Sequence, residues 1–273
     1  MKAVVIGGGT MGAGIAHLLL AHDHQVWVVE ADAERSRAAF AGVKASLHRA
    51  EAKGKLGGRE ADELLVNLTL AEPPADAELV VEAVPENVPL KQKVLGDAAA
   101  KCPDAILASN TSSLSIADIA EGLPGERVLG MHFFNPVPVQ QLVELVHHEG
   151  VDPANVAKAR ALAESMGKTV IEVRDSPGFA TSRLGVAVGM EAIRMVEEGV
   201  ASAADIDTGM KLGYRWPMGP LELTDLVGLD VRLAIAENLA AELGPRFEPP
   251  RLLRDKVARG ELGKKSGEGF FSW

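Results

Sequence analysis

KAVVIGGGTMGAGIAHLLLAHDHQVWVVE, residues 2–30, decides the fold. Lys2–Ile6 is a short apolar run of the buried-strand kind. It leads into Gly7-Gly8-Gly9-Thr10-Met11-Gly12, which fits G-x-G-x-x-G at Gly7, Gly9 and Gly12. A helical stretch follows from Met11 to about His22, apolar at Ile15, Leu18 and Leu19. Gln25–Val29 reads as a second strand and ends in Glu30. Each part has a physical task. Gly7 allows the tight turn, Gly9 lets a pyrophosphate approach the backbone, and Gly12 lets helix and strand pack closely. The phosphates sit on the helix N-terminus, beside Thr10 and Met11, where N–H groups point outward. An acid ending the second strand accepts from ribose hydroxyls and repels a 2′-phosphate, so Glu30 favours NAD over NADP. A glycine fingerprint alone is weak. Strand, fingerprint, helix, strand and acid in one short unit are specific.

The following residues extend this unit. Ser36–Leu70 reads as two helices with a break at Gly57-Gly58, where a crossover helix and strand are expected. Ser46, His48, Arg49 and Lys53 stand on it as solvent-available residues, which fits either a solvated face or an arm whose basic face meets an anionic group. Glu78–Val84 is a strand, followed by Pro85-Glu86-Asn87 and a helix from about Pro89 to Ala100 that carries Lys91 and Lys93. Ala105–Ser109 is the next strand and ends in Asn110-Thr111-Ser112-Ser113. A hydroxyl-rich tip after a parallel strand lies where ligands sit in such sheets. Ser113 or Ser115 also suits the cap of the helix Ile116–Gly122.

GMHFFNPVPVQQLVEL, residues 130–145, holds the candidate chemistry. His132 follows the apolar run Val128–Met131, and Glu144 lies inside Leu142–Val146, with Pro136 and Pro138 between them. A neutral imidazole suits removal of an alcohol proton, and a carboxylate on its other nitrogen fixes the tautomer. The two meet if the proline stretch turns the chain back. A lone histidine before two phenylalanines also fits a satisfied core residue. The pairing with Glu144 after a complete dinucleotide unit favours the base. His147 and His148 look like surface residues. Asn155–Gly167 is a helix ended by Gly167, Lys168–Val173 a strand, and Asp175–Gly178 a break.

Beyond the break no strand pattern runs longer than a few residues. Helices are expected at Thr181–Glu198, apolar at Leu184, Val188, Ala192, Met195 and Val196, then from Ser202 with Asp205 as a capping-box variant. More follow at Leu221–Leu226, Asp230–Leu243 and near Pro250–Arg259, before a glycine-rich basic end, residues 263–271. The expected architecture is α/β: a Rossmann-type doubly wound, mostly parallel sheet over 1–178 with a helical arm at about 36–70, then a smaller all-helical domain over 179–273. That second part is too small and too apolar to stay alone, which points to a subunit interface.

The bulk numbers agree. The 273 residues are 47% hydrophobic and carry a net charge of −10, so a nucleic-acid groove has no basic stripe to build on. One cysteine, Cys102, excludes an internal disulfide and a thiol zinc cluster, and reads as an ordinary thiol. The opening apolar run is too short for a signal peptide and no run reaches a membrane span, so a cytoplasmic protein without metal, nucleic-acid or membrane partners is expected.

These stretches resemble one family, the L-3-hydroxyacyl-CoA dehydrogenases, especially the bacterial 3-hydroxybutyryl-CoA type. The resemblance runs along the whole chain, through GGGTMGAGIA, VVEAVPEN, ILASNTSSLSI, GMHFFNPVPV, LVELV, DSPGF, DIDTGMKLG, WPMGPLEL, DLVGLD and GKKSGEGFF. It implies NAD-dependent, reversible oxidation of a (S)-3-hydroxyacyl-CoA to the 3-oxoacyl-CoA, by hydride transfer with His132 as base and Glu144 as its partner. It implies that Ser112 contacts nicotinamide and acyl group, that Glu86, Lys91, Asn135 and Lys265 contact NAD, and that Ser46 and Lys53 contact CoA. It implies a homodimer built through the helical domain. One departure stands beside the substrate: where the family has Asn in PGF-x-x-N-R, this chain has PGFATSR, with Ser182. Serine offers one O–H where an amide offers two N–H groups and a carbonyl. The terminal FFSW also lacks the family's usual Tyr. Two other functions remain compatible with the residues: a related dehydrogenase of a free hydroxy or sugar acid, and a weakly catalytic NAD-binding protein.

Overall fold

Eight apolar runs in the first 175 residues pair into one sheet in a computed structural model that describes residues 1–273. The chain divides into two compact units, Met1–Asp175 and Ser176–Trp273. In the first, the strands are β1 (Lys2–Ile6), β2 (Gln25–Val29), β3 (Leu68–Thr69), β4 (Leu79–Glu82), β5 (Ile106–Ser109), β6 (Val128–Phe133), β7 (Leu142–His147) and β8 (Thr169–Arg174). Their order is β3-β2-β1-β4-β5-β6-β7-β8. All neighbours are parallel except β6 and β7. From β1 the chain first builds outward to β2 and β3, then returns to place β4 on the other side of β1. The strand order thus reverses between β1 and β4, and a crevice for a ligand opens beyond their carboxyl ends.

Side-chain caps start the helices where the sequence changes period. Asp32 accepts from Arg35 N at 2.8 Å to begin α2 (Ala33–Glu51), after α1 (Thr10–Leu20). Short α3 (Ala61–Leu65) follows, and Asn87 caps α4 (Val88–Lys101). Of the two candidate serines, Ser115 caps α5 (Ile116–Ala120) by accepting from Asp118 N at 3.1 Å. Asp152 caps α6 (Pro153–Ser165), and Gly167, at φ +72°, follows its end.

The arm differs from its expected form in two ways. The break between its helices spans residues 52–60, wider than Gly57-Gly58, because Gly54, Gly57 and Gly58 all take positive φ. Residues Leu68 and Thr69, expected to be helical, pair with Val26 and Trp27 as the edge strand β3. Two residues carry no period that the sequence can display. The arm packs through Ala39, Val43 and Leu47, one stripe at four-residue spacing, into the same core as Ile15, Leu18 and Leu19 of α1.

The second unit is helical throughout: α7 (Thr181–Glu197), α8 (Ala203–Gly213), α9 (Pro220–Val227), α10 (Leu229–Leu243) and α11 (Arg251–Ala258). Ser202 caps α8, accepting from Asp205 N and donating to Asp205 Oδ2. The expected apolar stripe of α7 is rotated. Val186, Met190 and Ile193 are buried with Ala192, whereas Leu184 stands 66% exposed. Several apolar residues lie all round this helix, so period alone leaves its inward face undetermined.

Asp225 organises the glycine-rich end. Its carboxylate, 1% exposed, accepts from Phe270 N at 2.8 Å, Phe271 N at 2.9 Å and Trp273 Nε1 at 2.9 Å. A Cβ on Gly263 would lie 2.3 Å from Asp225 O, and one on Gly269 the same distance from Asp225 Oδ1. The tail therefore needs glycine at both positions to reach this carboxylate. Asp225→Ala would leave three donors without their acceptor, and a loss of about 3 kcal/mol in urea unfolding is expected, with Asp225→Asn losing less.

Candidate active site

Antiparallel pairing brings the candidate base and its carboxylate together. In the β6–β7 ladder His132 stands directly opposite Glu144, so both side chains leave the same face of the sheet. His132 Nδ1 lies 2.7 Å from Glu144 Oε2. His132 is 6% exposed and Glu144 fully buried. The Phe134 ring centroid is 4.4 Å from the imidazole. The turn that makes this pairing possible contains a cis peptide bond between Asn135 and Pro136. Lys168, at the start of β8, closes the turn: its buried ammonium donates to Val137 O at 2.6 Å and Gln140 O at 2.7 Å. Burial pushes the Lys168 pKa down.

Ser112 comes from the tip after β5, and Glu86 holds that tip. Glu86 Oε1 accepts from Thr111 Oγ1 at 3.0 Å, Ser112 N at 2.9 Å and Ser112 Oγ at 3.3 Å. Lys91 lies 3.2 Å from Glu86 Oε2 and donates to Glu82 at 2.9 and 3.0 Å. Resemblance makes Lys91 an NAD contact; here it is 1% exposed and its ammonium is taken by Glu82, Glu86 and Val84 O. Burial raises the Glu82 pKa, against the pull of Lys91 and Ser109. A buried ion pair of this kind fixes geometry more surely than it adds stability. The sequence pattern assigns no role to Glu82, and none to Asn110 beyond its place in the polar tip. Asn110 Oδ1 accepts from Phe133 N at 2.9 Å, which ties the Ser112 tip to the strand of His132. Its place in a polar tip after a parallel strand is the signal that would have found it.

The glycine turn fits a dinucleotide. Gly7 takes φ +91°, and a Cβ there would meet Ala83 O at 2.9 Å; on Gly12 it would lie 1.7 Å from Gly7 O. On Gly9 it would meet nothing within 4 Å, so the backbone there faces open space. Gly9 precedes α1 without a side-chain cap, which leaves first-turn N–H groups for a phosphate. Thr10 and Met11 form that first turn. Gly8, unassigned by the fingerprint, packs on α2, where a Cβ would lie 2.2 Å from Ala39 Cβ. Glu30 accepts from Gly8 N, so the ribose acid is anchored to the loop it serves. A cleft of about 490 Å³ runs past Gly8, Gly9, Thr10 and Glu30 to Asn135 and Ser46.

A second cleft, about 420 Å³, is lined by His17, Ser46, Arg49, Lys53, Lys55 and Asn135 among others. Ser46, expected on a solvent-available face, is half-buried in the wall of this cleft, with its Oγ 2.8 Å from His17 Nδ1. His48 pairs with Glu51 and Asp62, away from this cleft. In the second unit, Ser182 is the second residue of α7 and Lys265 donates to Asp230 Oδ2 at 2.6 Å.

Burial, then Arg49, Lys168 and His22, lower the His17 pKa from 6.5 to about 4. The unfolded chain takes up a proton over that interval and the folded chain does not. Stability is therefore full above the unfolded value and falls as pH drops through the interval. The cost at its acid end is roughly 2–3 kcal/mol after allowance for solvent screening. In urea midpoints followed against pH, His17→Asn is expected to be flatter than the parent between about pH 6.5 and pH 4.

Residues 2–176 match the 3-hydroxyacyl-CoA dehydrogenase NAD binding domain, and residues 178–273 the 3-hydroxyacyl-CoA dehydrogenase C-terminal domain. A 3-hydroxybutyryl-CoA dehydrogenase of Mycobacterium tuberculosis is 42% identical, over 98% of this chain and 97% of its own. A probable 3-hydroxybutyryl-CoA dehydrogenase of Bacillus subtilis is 41% identical, over 100% of this chain and 97% of its own. The crystal structure of (S)-3-hydroxybutyryl-CoA dehydrogenase from Ralstonia eutropha superposes with a TM-score of 0.93 at 38% identity, covering 100% of this chain and 98% of that one.

Proposed function

The chain belongs to the 3-hydroxyacyl-CoA dehydrogenase family, an NAD-dependent one, and we propose that it interconverts (S)-3-hydroxybutyryl-CoA and acetoacetyl-CoA with His132 as general base. The observation that carries the chemistry is the buried His132–Glu144 pair at 2.7 Å. It sits at the carboxyl end of β6, the sheet edge that also bears the glycine turn after β1, Glu86 after β4 and Ser112 after β5. The four-carbon substrate rests on the relatives' own activities.

Bound NAD supplies the acceptor for the electron pair that leaves the substrate carbon. His132 Nε2 takes the hydroxyl proton. Glu144 on Nδ1 sets the tautomer that leaves Nε2 able to accept, and offsets the charge of the imidazolium that forms. Returning the proton from the same nitrogen serves the reverse direction. Ser112 positions the acyl end, and Ser182 belongs to the same reading by resemblance. Ser112 has its backbone and hydroxyl directed by Glu86. Glu30, Glu86 and Asn135 hold the cofactor with the glycine turn, Lys91 acting on it through Glu86; Lys265 belongs to the same reading by resemblance. Ser46 and Lys53 hold the CoA portion. No helix is long and apolar enough to cross a membrane, and a cytoplasmic place is part of this reading. Self-association through the helical unit is supported by Leu223, Leu226, Val227 and Val231, which stand 37–41% exposed along α9 and α10.

His132→Gln is expected to lower kcat about a thousand-fold while NAD binding, followed by fluorescence titration, stays within about two-fold; turnover surviving within a few-fold would remove His132 from its role. Acetoacetyl-CoA should be reduced by NADH and free acetoacetate should not, and a chain-length series of CoA thioesters should give its highest kcat/KM at four carbons. Ser182→Asn is expected to raise kcat/KM about ten-fold, because the resemblance implies an acyl-contacting amide at this position.

A further inference from the structure

Two histidines are buried, His132 and His17. The proposed chemistry uses only the first. His17 lies on α1, 3% exposed, with Nδ1 2.8 Å from the hydroxyl of Ser46 on α2. Both residues line the cleft that also receives Arg49, Lys53 and Lys55. Elsewhere on the arm Lys44 pairs with Asp62, and His48 with Glu51 and Asp62, while Arg37 has no carboxylate partner and lies outside this cleft. Arg49, Lys53 and Lys55 have no such partner, in a chain whose net charge is −10. A cleft of this sign in an acidic protein gathers an anionic ligand.

We propose that His17 is a positioning residue for substrate: through Nδ1 it holds the Ser46 hydroxyl so that Ser46 donates its own proton to an anionic oxygen of the CoA portion. This rests on the reading of Ser46 and Lys53 as CoA contacts. The physical reason lies in what a serine does inside a helix. With no outside partner its hydroxyl turns to the carbonyl four residues back, here Gly42, and its proton is spent on the backbone. A neutral imidazole in the tautomer with its proton on Nδ1 instead holds the hydroxyl oxygen toward α1, 2.8 Å from the ring. It donates to Oγ, and the serine O–H then remains for the ligand. Burial first, and then the basic side chains Arg49, Lys168 and His22 that face it, keep the ring neutral. The arrangement therefore works unchanged across ordinary pH.

The test compares His17→Leu, His17→Asn, Ser46→Ala and the double variant His17→Leu/Ser46→Ala, with acetoacetyl-CoA and with the acetoacetyl thioester of N-acetylcysteamine, which lacks the nucleotide. His17→Leu is expected to raise KM for acetoacetyl-CoA about five-fold, the loss of one hydrogen bond, with kcat and the KM for NADH within about two-fold of the parent. Ser46→Ala should do the same, and the double variant should be no worse than Ser46→Ala. An Asn amide nitrogen reaches the place of Nδ1, so His17→Asn should restore most of the KM. The KM for the truncated thioester should rise clearly less than that for acetoacetyl-CoA in His17→Leu and in Ser46→Ala. The effect should be equal at about pH 6 and pH 8. Additive effects of His17→Leu and Ser46→Ala, an equal rise with the truncated thioester, or failure of His17→Asn to recover the KM each overturn the role of His17. Failure of the parent protein to reduce acetoacetyl-CoA at all would instead overturn the proposed substrate.

Discussion

The antiparallel pairing of β6 with β7 is the constraint on which the site depends. Every other neighbouring pair in the sheet is parallel, and a parallel partner for β6 would have to arrive through a long crossover. The chain instead turns back within a few residues, so a histidine and a glutamate twelve positions apart become direct neighbours. A register slip of one residue would send Glu144 to the opposite face of the sheet and leave His132 facing a different side chain. The register is secured from outside the hairpin. Lys168 ties down the carbonyls of the turn, Asn110 holds the backbone beyond His132, and β8 pairs with β7 along its whole length.

Around that pairing the site is supported by buried polar groups held in fixed geometry. Glu82, Lys91 and Glu86 form a chain that ends on Ser112. Such a chain confers little net stability, because desolvation of the charges offsets most of their attraction. It restricts where the tip after β5 can stand, and catalysis is sensitive to such placement. Lys168 and His17 are likewise buried basic groups held by fixed partners, and burial lowers the pKa of each. In the second unit Asp225 does for the C-terminal tail what Glu86 does for the serine tip: one carboxylate gathers several donors from one short stretch.

Much of the fold was legible in local pattern. The glycine fingerprint between two apolar runs required its strand, turn and helix, since only a chain without Cβ atoms at Gly7 and Gly12 can make those approaches. Caps such as Ser202 were readable because a serine three residues before an aspartate satisfies a helix end locally. Legibility failed where the deciding partner was distant in sequence. The two-residue strand β3 exists only because β2 offers an edge. The inward face of α7 depends on Leu221, Leu239 and Leu253, which pack in its core from other helices. Ser46 read as a solvent residue because the histidine it stands against is on α1.

The sequence by itself determined the dinucleotide unit, the alternation of strands and helices, the all-helical second part, and the candidate pair His132 and Glu144. These follow from short-range chemistry: glycine conformational freedom, apolar period, caps, and the suitability of imidazole and carboxylate for proton transfer. Only the tertiary structure decided that the pair meets on one sheet face, that Lys91 is committed to Glu82 and Glu86, and that Ser46 stands against His17. These are contacts between groups far apart along the chain. Their existence depends on strand register and helix packing, which the whole sheet sets together and no local stretch encodes.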